Sequence, residues 1–217
     1  MSHGAIVVEN CHVAGELGDA RGMKTSLLFL VLAACGSDSS NIDAKAGGGS
    51  DAKVFMDAPA ALATCSDYCT TITSACTGAA NSQYGSMVTC ISSCSHFPVG
   101  TAGEQSGDSL QCRDYHAHAA LVDPVTHCVH AGPSGGSVCG TPCQGFCDLA
   151  VAECPTQYPN AGGCATTCAG MTAGSAFNSS IQSGNNVSCR VYHATAASTD
   201  PGTHCPHIAA PSAAPCM

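Results

Sequence analysis

The residues best suited to chemistry in this chain are histidines, and three of them occur twice in the same setting. His116 follows Cys112-Arg113-Asp114-Tyr115, and His193 follows Cys189-Arg190-Val191-Tyr192. Downstream, Asp123-Pro124-Val125-Thr126-His127-Cys128-Val129-His130 matches Asp200-Pro201-Gly202-Thr203-His204-Cys205-Pro206-His207. Two imidazoles three apart on a helical turn, joined by a third from another helix, are the donor set of a three-nitrogen zinc or copper site. The same residues have a structural reading, because a neutral imidazole caps helix ends and satisfies buried carbonyls. The structural role is the expectation. Metal binding by His116, His127, His130, His193, His204 and His207 is its alternative. His96 and His118 occur only in the first copy and are expected at the surface.

Arg113 and Arg190 are the only basic residues after Lys53. Each directly follows a cysteine at matching positions, so a fixed partner is expected. The aspartates that open the next helix supply it, as Arg113–Asp123 and Arg190–Asp200. The alternative is that the guanidinium forks contact an anion, such as a ligand carboxylate. Tyr115, Tyr192, Tyr84 and Tyr158 read as core aromatics with a hydrogen-bonding tip. Signals for catalysis are absent: there is no G-x-S-x-G elbow, Walker loop or Rossmann glycine pattern, and no recurring carboxylate pair. A cysteine nucleophile is excluded where every cysteine of the body has a bridge partner. No C-x-x-C-H occurs, so covalent haem is excluded. The expectation is a protein that is not an enzyme.

The elements that must hold these residues are set by cysteine. Eight lie at 65, 69, 76, 90, 94, 112, 128 and 139, and eight more at 143, 147, 154, 164, 168, 189, 205 and 216. Matching members are 78, then 74, then 77 residues apart, which is a tandem duplication with one deletion and one insertion. The 45% hydrophobic content does not contradict a need for crosslinks, because 34 Ala and 18 Cys make up most of it and Val, Ile and Leu together number 29. Such units cannot bury enough aliphatic surface, so four disulfides per repeat are expected. Zinc on four thiolates would need paired C-x2-C spacing, which does not occur. At 3.6 residues per turn, Cys65, Cys69 and Cys76 share one helical face, and Cys90 and Cys94 lie one turn apart on a second helix. Two antiparallel helices then take two rungs, Cys65–Cys94 and Cys69–Cys90, repeated as Cys143–Cys168 and Cys147–Cys164. The other four cysteines of each unit stay unassigned. A third helix opens after the Gly107-Asp108-Ser109 and Gly184-Asn185-Asn186 segments, and a fourth at Asp123-Pro124 and Asp200-Pro201. In the second copy Pro206 should confine that fourth helix to a single turn. The fold class is all-α and small disulfide-rich, with two tandem helical repeats at 62–140 and 141–217.

The formal charge of −9, from 6 basic and 15 acidic residues, excludes nucleic acid as a partner. Met23-Lys24 followed by the apolar run Leu27 to Leu32 reads as an export signal over 23–34, too short for a permanent membrane span. Residues 1–22 read as a misassigned start, and 35–61, rich in Gly, Ser and Ala, as a flexible tether. Leu32-Ala33-Ala34-Cys35 resembles the lipobox of bacterial lipoproteins. The resemblance implies lipidation at Cys35, with Gly36 favouring the outer membrane over the inner. Leader, tether and cysteine-rich repeats together resemble uncharacterised cysteine-rich lipoproteins of Gram-negative bacteria. What this implies is an exported, outer-membrane, lipid-anchored protein whose partners are the membrane and an unknown protein or small-molecule ligand. The functional expectation is a non-catalytic cell-envelope module for binding or surface display. A zinc- or copper-binding envelope protein is the alternative.

Overall fold

A side-chain cap opens every α-helix among the described residues. Residues 61–217 are described by a computed structural model, and its helices are α1 (Cys65–Ala75), α2 (Met87–Cys94), α3 (Leu110–Ala119), α4 (Pro124–Ala131), α5 (Pro142–Glu153), α6 (Ala161–Ala169), α7 (Val187–Ala197) and α8 (Pro201–Ile208). Thr64, Ser86, Ser109, Asp123, Thr141, Asn160, Asn186 and Asp200 each accept a backbone N–H from the first turn. Each cap contributes about 1 kcal/mol. Helices of this length do not persist alone in water, so the caps matter more than they would in longer helices. Among the described residues there is no strand, only one further short 3-10 turn at Gly135–Ser137. None of these helices is long and apolar enough to cross a membrane. The export signal, Cys35 and the tether up to residue 60 lie outside the described residues, as does the segment 1–22.

Eight disulfides staple the helices, with the same pattern in each copy. Cys65–Cys94 and Cys69–Cys90 are the two rungs between α1 and α2, matched by Cys143–Cys168 and Cys147–Cys164 between α5 and α6. The pairs left open by spacing are Cys76–Cys128 and Cys112–Cys139, matched by Cys154–Cys205 and Cys189–Cys216. Cys76 and Cys154 cap the ends of α1 and α5. From there each bridge reaches the middle of the fourth helix of its repeat. Sulfur fills much of the buried centre, joined by Tyr68, Ile72, Phe146, Leu149, Val191 and Ile208. Covalent crosslinks thus stand where larger domains place aliphatic side chains.

The two repeats pack into one compact unit. At their junction the Ser179 amide donates to the Ser82 carbonyl at 2.7 Å, and Gln83 donates to the Phe177 carbonyl at 3.3 Å. His96 belongs to this junction, which corrects its expected surface placement. Its Nε2 lies 3.1 Å from Glu153 Oε1, which also accepts from Ser92 at 2.9 Å. Gly145 is required here, since a Cβ would fall 2.0 Å from the Pro133 carbonyl oxygen.

The expected effect of Pro206 is overturned, because α8 runs for 8 residues through it, as long as α4. Proline removes one hydrogen bond and crowds the carbonyl four residues back. Three restraints outweigh that cost: the Asp200 cap, the Cys154–Cys205 bridge and a hydrogen bond from Tyr158 Oη to the Ile208 carbonyl at 2.7 Å.

Candidate metal centre

The fourth helix carries two histidines of each repeat and is held at three points. In the first copy Asp123 caps its start, Cys128 bonds to Cys76 at its middle, and Tyr68 Oη donates to the Ala131 carbonyl at its end, at 2.6 Å. Tyr84 Oη lies 2.8 Å from Tyr68 Oη and donates to it, since the Tyr68 proton is already committed. In the second copy Phe146 stands where Tyr68 stood, and Tyr158 makes the carbonyl bond directly. The third helix is held by Cys112–Cys139 or Cys189–Cys216, one turn before its histidine. Bridges therefore flank every histidine of the cluster.

His116, His127 and His130 converge, and so do His193, His204 and His207, with one ring nitrogen from each member lying within 4.8 Å of the others. His116 Nδ1 stands 2.9 Å from His127 Nδ1, and His193 Nδ1 stands 2.8 Å from His204 Nδ1 and 3.3 Å from His207 Nδ1. The opposite nitrogen of the central ring settles its tautomer. His116 Nε2 lies 3.1 Å from the Gln105 carbonyl and His193 Nε2 lies 3.2 Å from the Gln182 carbonyl. A carbonyl only accepts, so Nε2 carries the proton and Nδ1 presents a lone pair. In the second copy that single lone pair faces two further ring nitrogens. In the first copy His130 Nδ1 is buried with no hydrogen-bond partner.

The surroundings favour the neutral form of His116, His130, His193 and His204. Burial pushes the His193 pKa down to about 4, helped by repulsion from His207 and His204, and burial lowers His204 as well. In the first copy burial lowers His116 and His130, with the neighbouring imidazoles adding to the effect. A neutral imidazole is the form that binds metal. Nitrogens at 2.0–2.1 Å from a tetrahedral zinc stand about 3.3 Å apart, so the shorter contacts need to widen by about half an ångström. Carbonyl-fixed outer nitrogens are the second layer that metal-binding histidines use to hold ring orientation. Cys112 and Cys139 also come within reach of His116, and Cys189 and Cys216 of His193, but all four are disulfides and offer no thiolate.

The arginines lie elsewhere, and the expected ion pairs Arg113–Asp123 and Arg190–Asp200 are not formed. Arg113 Nη2 donates to Asp108 at 2.8 Å, Nη1 donates to the Ser109 carbonyl at 3.1 Å, and the guanidinium sits 4.0 Å above the Phe97 ring. Arg190 uses Asn185 and Ser212, each at 3.0 Å. Asp123 and Asp200 are occupied as caps, accepting from the Thr126 and Thr203 amides. The physical reason is direction: an arginine at the fourth position of a helix reaches back along its own first turn, over the residues that precede it. Both arginines are buried. Of the tyrosines, Tyr84 and Tyr158 are core, whereas Tyr115 is 38% exposed and lies edge-on to His116.

Two features of the site escaped the sequence. Gln105 and Gln182, each eleven residues before its histidine, recur in both copies, but they act through backbone carbonyls that no side-chain pattern reports. Asp148 on α5 meets Asp108 across the repeat junction. Burial first, and then the Asp108 charge, push its pKa up to about 7.

Residues 49–142 match the family model described as BfoA family C-terminal domain, a span that contains the first cysteine repeat. Two curated relatives named Aurasperone B biosynthesis cluster protein A, from two strains of Aspergillus niger, are 40% and 39% identical over 72 residues. A third, Bifonsecin B biosynthesis cluster protein A from Aspergillus brasiliensis, is 39% identical over 72 residues. The alignments span 33% of this chain and about a quarter of the length of each relative. No solved structure matches the chain. These relatives are fungal cluster proteins, and they overturn the resemblance to Gram-negative lipoproteins. A lipobox is four residues within a short leader, and an apolar run ending in small residues and cysteine carries too little information to identify a family. The outer-membrane placement drawn from it loses that support.

Proposed function

We propose that this chain is a disulfide-stapled, non-catalytic metal-binding module that holds one zinc or copper ion in each repeat. His116, His127 and His130 hold the first, and His193, His204 and His207 the second. The observation that carries this reading is the meeting of three Nδ1 atoms around the one lone pair of His193. Hydrogen bonding accounts for one of the two contacts, because a lone pair accepts one proton. A single cation in their midst satisfies all three nitrogens at once. The first repeat supports the same reading through the unpartnered, buried His130 Nδ1. Imidazole donors suit zinc and copper above harder ions.

The eight bridges support a place of action outside the reducing cytoplasm. The names of the Aspergillus relatives support a setting beside a biosynthetic cluster.

Metal analysis tests the reading. Full-length oxidised protein, challenged with zinc or copper and dialysed, retains about two ions per chain. His127→Ala and His204→Ala each remove one ion, the double variant removes both, and His118→Ala removes none. Protein that keeps its disulfides and retains no metal overturns the proposal.

A further inference from the structure

Three nitrogens do not complete a tetrahedral shell, and the surroundings supply no obvious fourth donor. We infer that each three-histidine centre leaves one coordination position open to solvent, and that a small monodentate anion occupies it by displacing water. This rests on the metal reading above and extends it from holding an ion to binding a ligand through that ion.

Elimination around the cluster carries the argument. No further His, Cys, Asp or Glu joins either trio among the described residues, apart from the cysteines beside the central ring. Those sulfurs are spent in Cys112–Cys139 and Cys189–Cys216. Asp114, two residues before His116, faces His118 and does not join the trio, and the helix-opening Asp123 and Asp200 are turned to the helix start and accept from the Thr126 and Thr203 amides at 3.2 and 3.1 Å. The Gln105 and Gln182 carbonyls are engaged by the far nitrogen of the central ring, on the side away from the convergent Nδ1 atoms. The candidates shared by both copies are eliminated in each, although the fourth helices differ in sequence, with Val125 against Gly202 and Val129 against Pro206.

Access comes from the fourth helix. His116 and His193 are buried, but His127, His130, His204 and His207 are only half-buried, and Thr126 and Thr203 beside them are exposed. Three histidines with an open fourth position are the arrangement in which zinc binds water or substrate, whereas a structural zinc site is closed by four protein ligands. In the exchange one water leaves and the lone pair of one anion takes its place. The metal keeps its oxidation state, and no proton or electron moves.

Cobalt(II) with azide is the test, because cobalt reports its coordination through visible absorption. Full-length oxidised protein loaded with cobalt is expected to bind two ions per chain with tetrahedral bands. Azide then shifts those bands saturably, with two equivalents bound per chain. His127→Ala and His204→Ala each lose one cobalt and one azide equivalent, while the remaining site responds as before. Cobalt bound with tetrahedral bands that azide does not move, even in large excess, overturns the open position and leaves the metal reading standing. Failure to bind cobalt, zinc or copper at all overturns both.

Discussion

Arg113 has no solvent exposure, the most enclosed charge among the described residues. Asp108 touches it at 2.8 Å, while burial and the Asp108 charge hold the pKa of the neighbouring Asp148 up to about 7. The second repeat shows that asparagine serves at the position of Asp108, since Asn185 receives Arg190. Asp108→Asn should therefore cost less than about 1.5 kcal/mol, because Asp148 then gives up its proton and supplies the charge. The double variant Asp108→Asn/Asp148→Asn strands a buried guanidinium and should cost about 3–5 kcal/mol in urea unfolding, far more than the two single losses together. The same carboxyl sets a pH dependence. Its folded pKa lies above its unfolded value, so the folded chain binds the extra proton, and its contribution to stability falls as pH rises from about 4 to about 7. The depressed His193 acts in the opposite sense over the same range, its contribution being lost as pH falls toward about 4. The Asp148 effect is thus read as a difference: Asp148→Asn relative to the parent should gain stability as pH is raised through that window, and an unchanging difference would sink the assignment.

At the scale of elements, the fourth helix decides whether three imidazoles meet. Its start was legible, because Asp followed by Pro is a strong opening and both aspartates do cap. Its extent in the second repeat was not, because proline propensity is local, whereas the Cys154–Cys205 bridge and the Tyr158 bond that help to overrule it come from about fifty residues away. Asp200→Ala should cost about 1 kcal/mol and weaken metal retention in the second repeat alone, measured by metal content of the single variant. The 3-10 turn after α4 holds the other side. Gly136 has φ +54°, and a Cβ there would fall 2.9 Å from His130 Cδ2 and from the Val129 carbonyl oxygen. Gly136→Ala should cost about 1–2 kcal/mol from the left-handed backbone alone. It should also displace His130, so that the first site loses affinity while the second keeps it.

For the whole molecule the bridges take over what composition lacks. Cys76–Cys128 spans 52 residues and Cys69–Cys90 spans 21, so loop entropy gives the longer bridge about 4 kcal/mol and the shorter about 3. Replacing Cys76 and Cys128 together by alanine should lower stability by about 4 kcal/mol. Because this bridge carries α4, the same variant should lose metal at the first site, and urea unfolding with metal analysis reads both effects. Removing Cys69–Cys90 should leave the site intact at a cost of about 3 kcal/mol, since that rung joins α1 to α2 and bonds to neither histidine helix.

The duplication, the helical class and the oxidised framework are written in spacing and composition, because a periodic cysteine pattern and a shortage of aliphatic residues act wherever the chain goes. The rungs of the first hairpin follow from one helical turn per rung, a local rule. Which way Arg113 reaches, that His96 lies at the repeat junction, and that Asp148 comes beside Asp108 across it depend on segments far apart in sequence, and only the packed chain brings them together. The histidines stand between these cases. Their recurrence named them, but a lone pair facing two neighbouring nitrogens is a relation between three rings on two helices, and it exists only once the bridges have fixed where those helices cross.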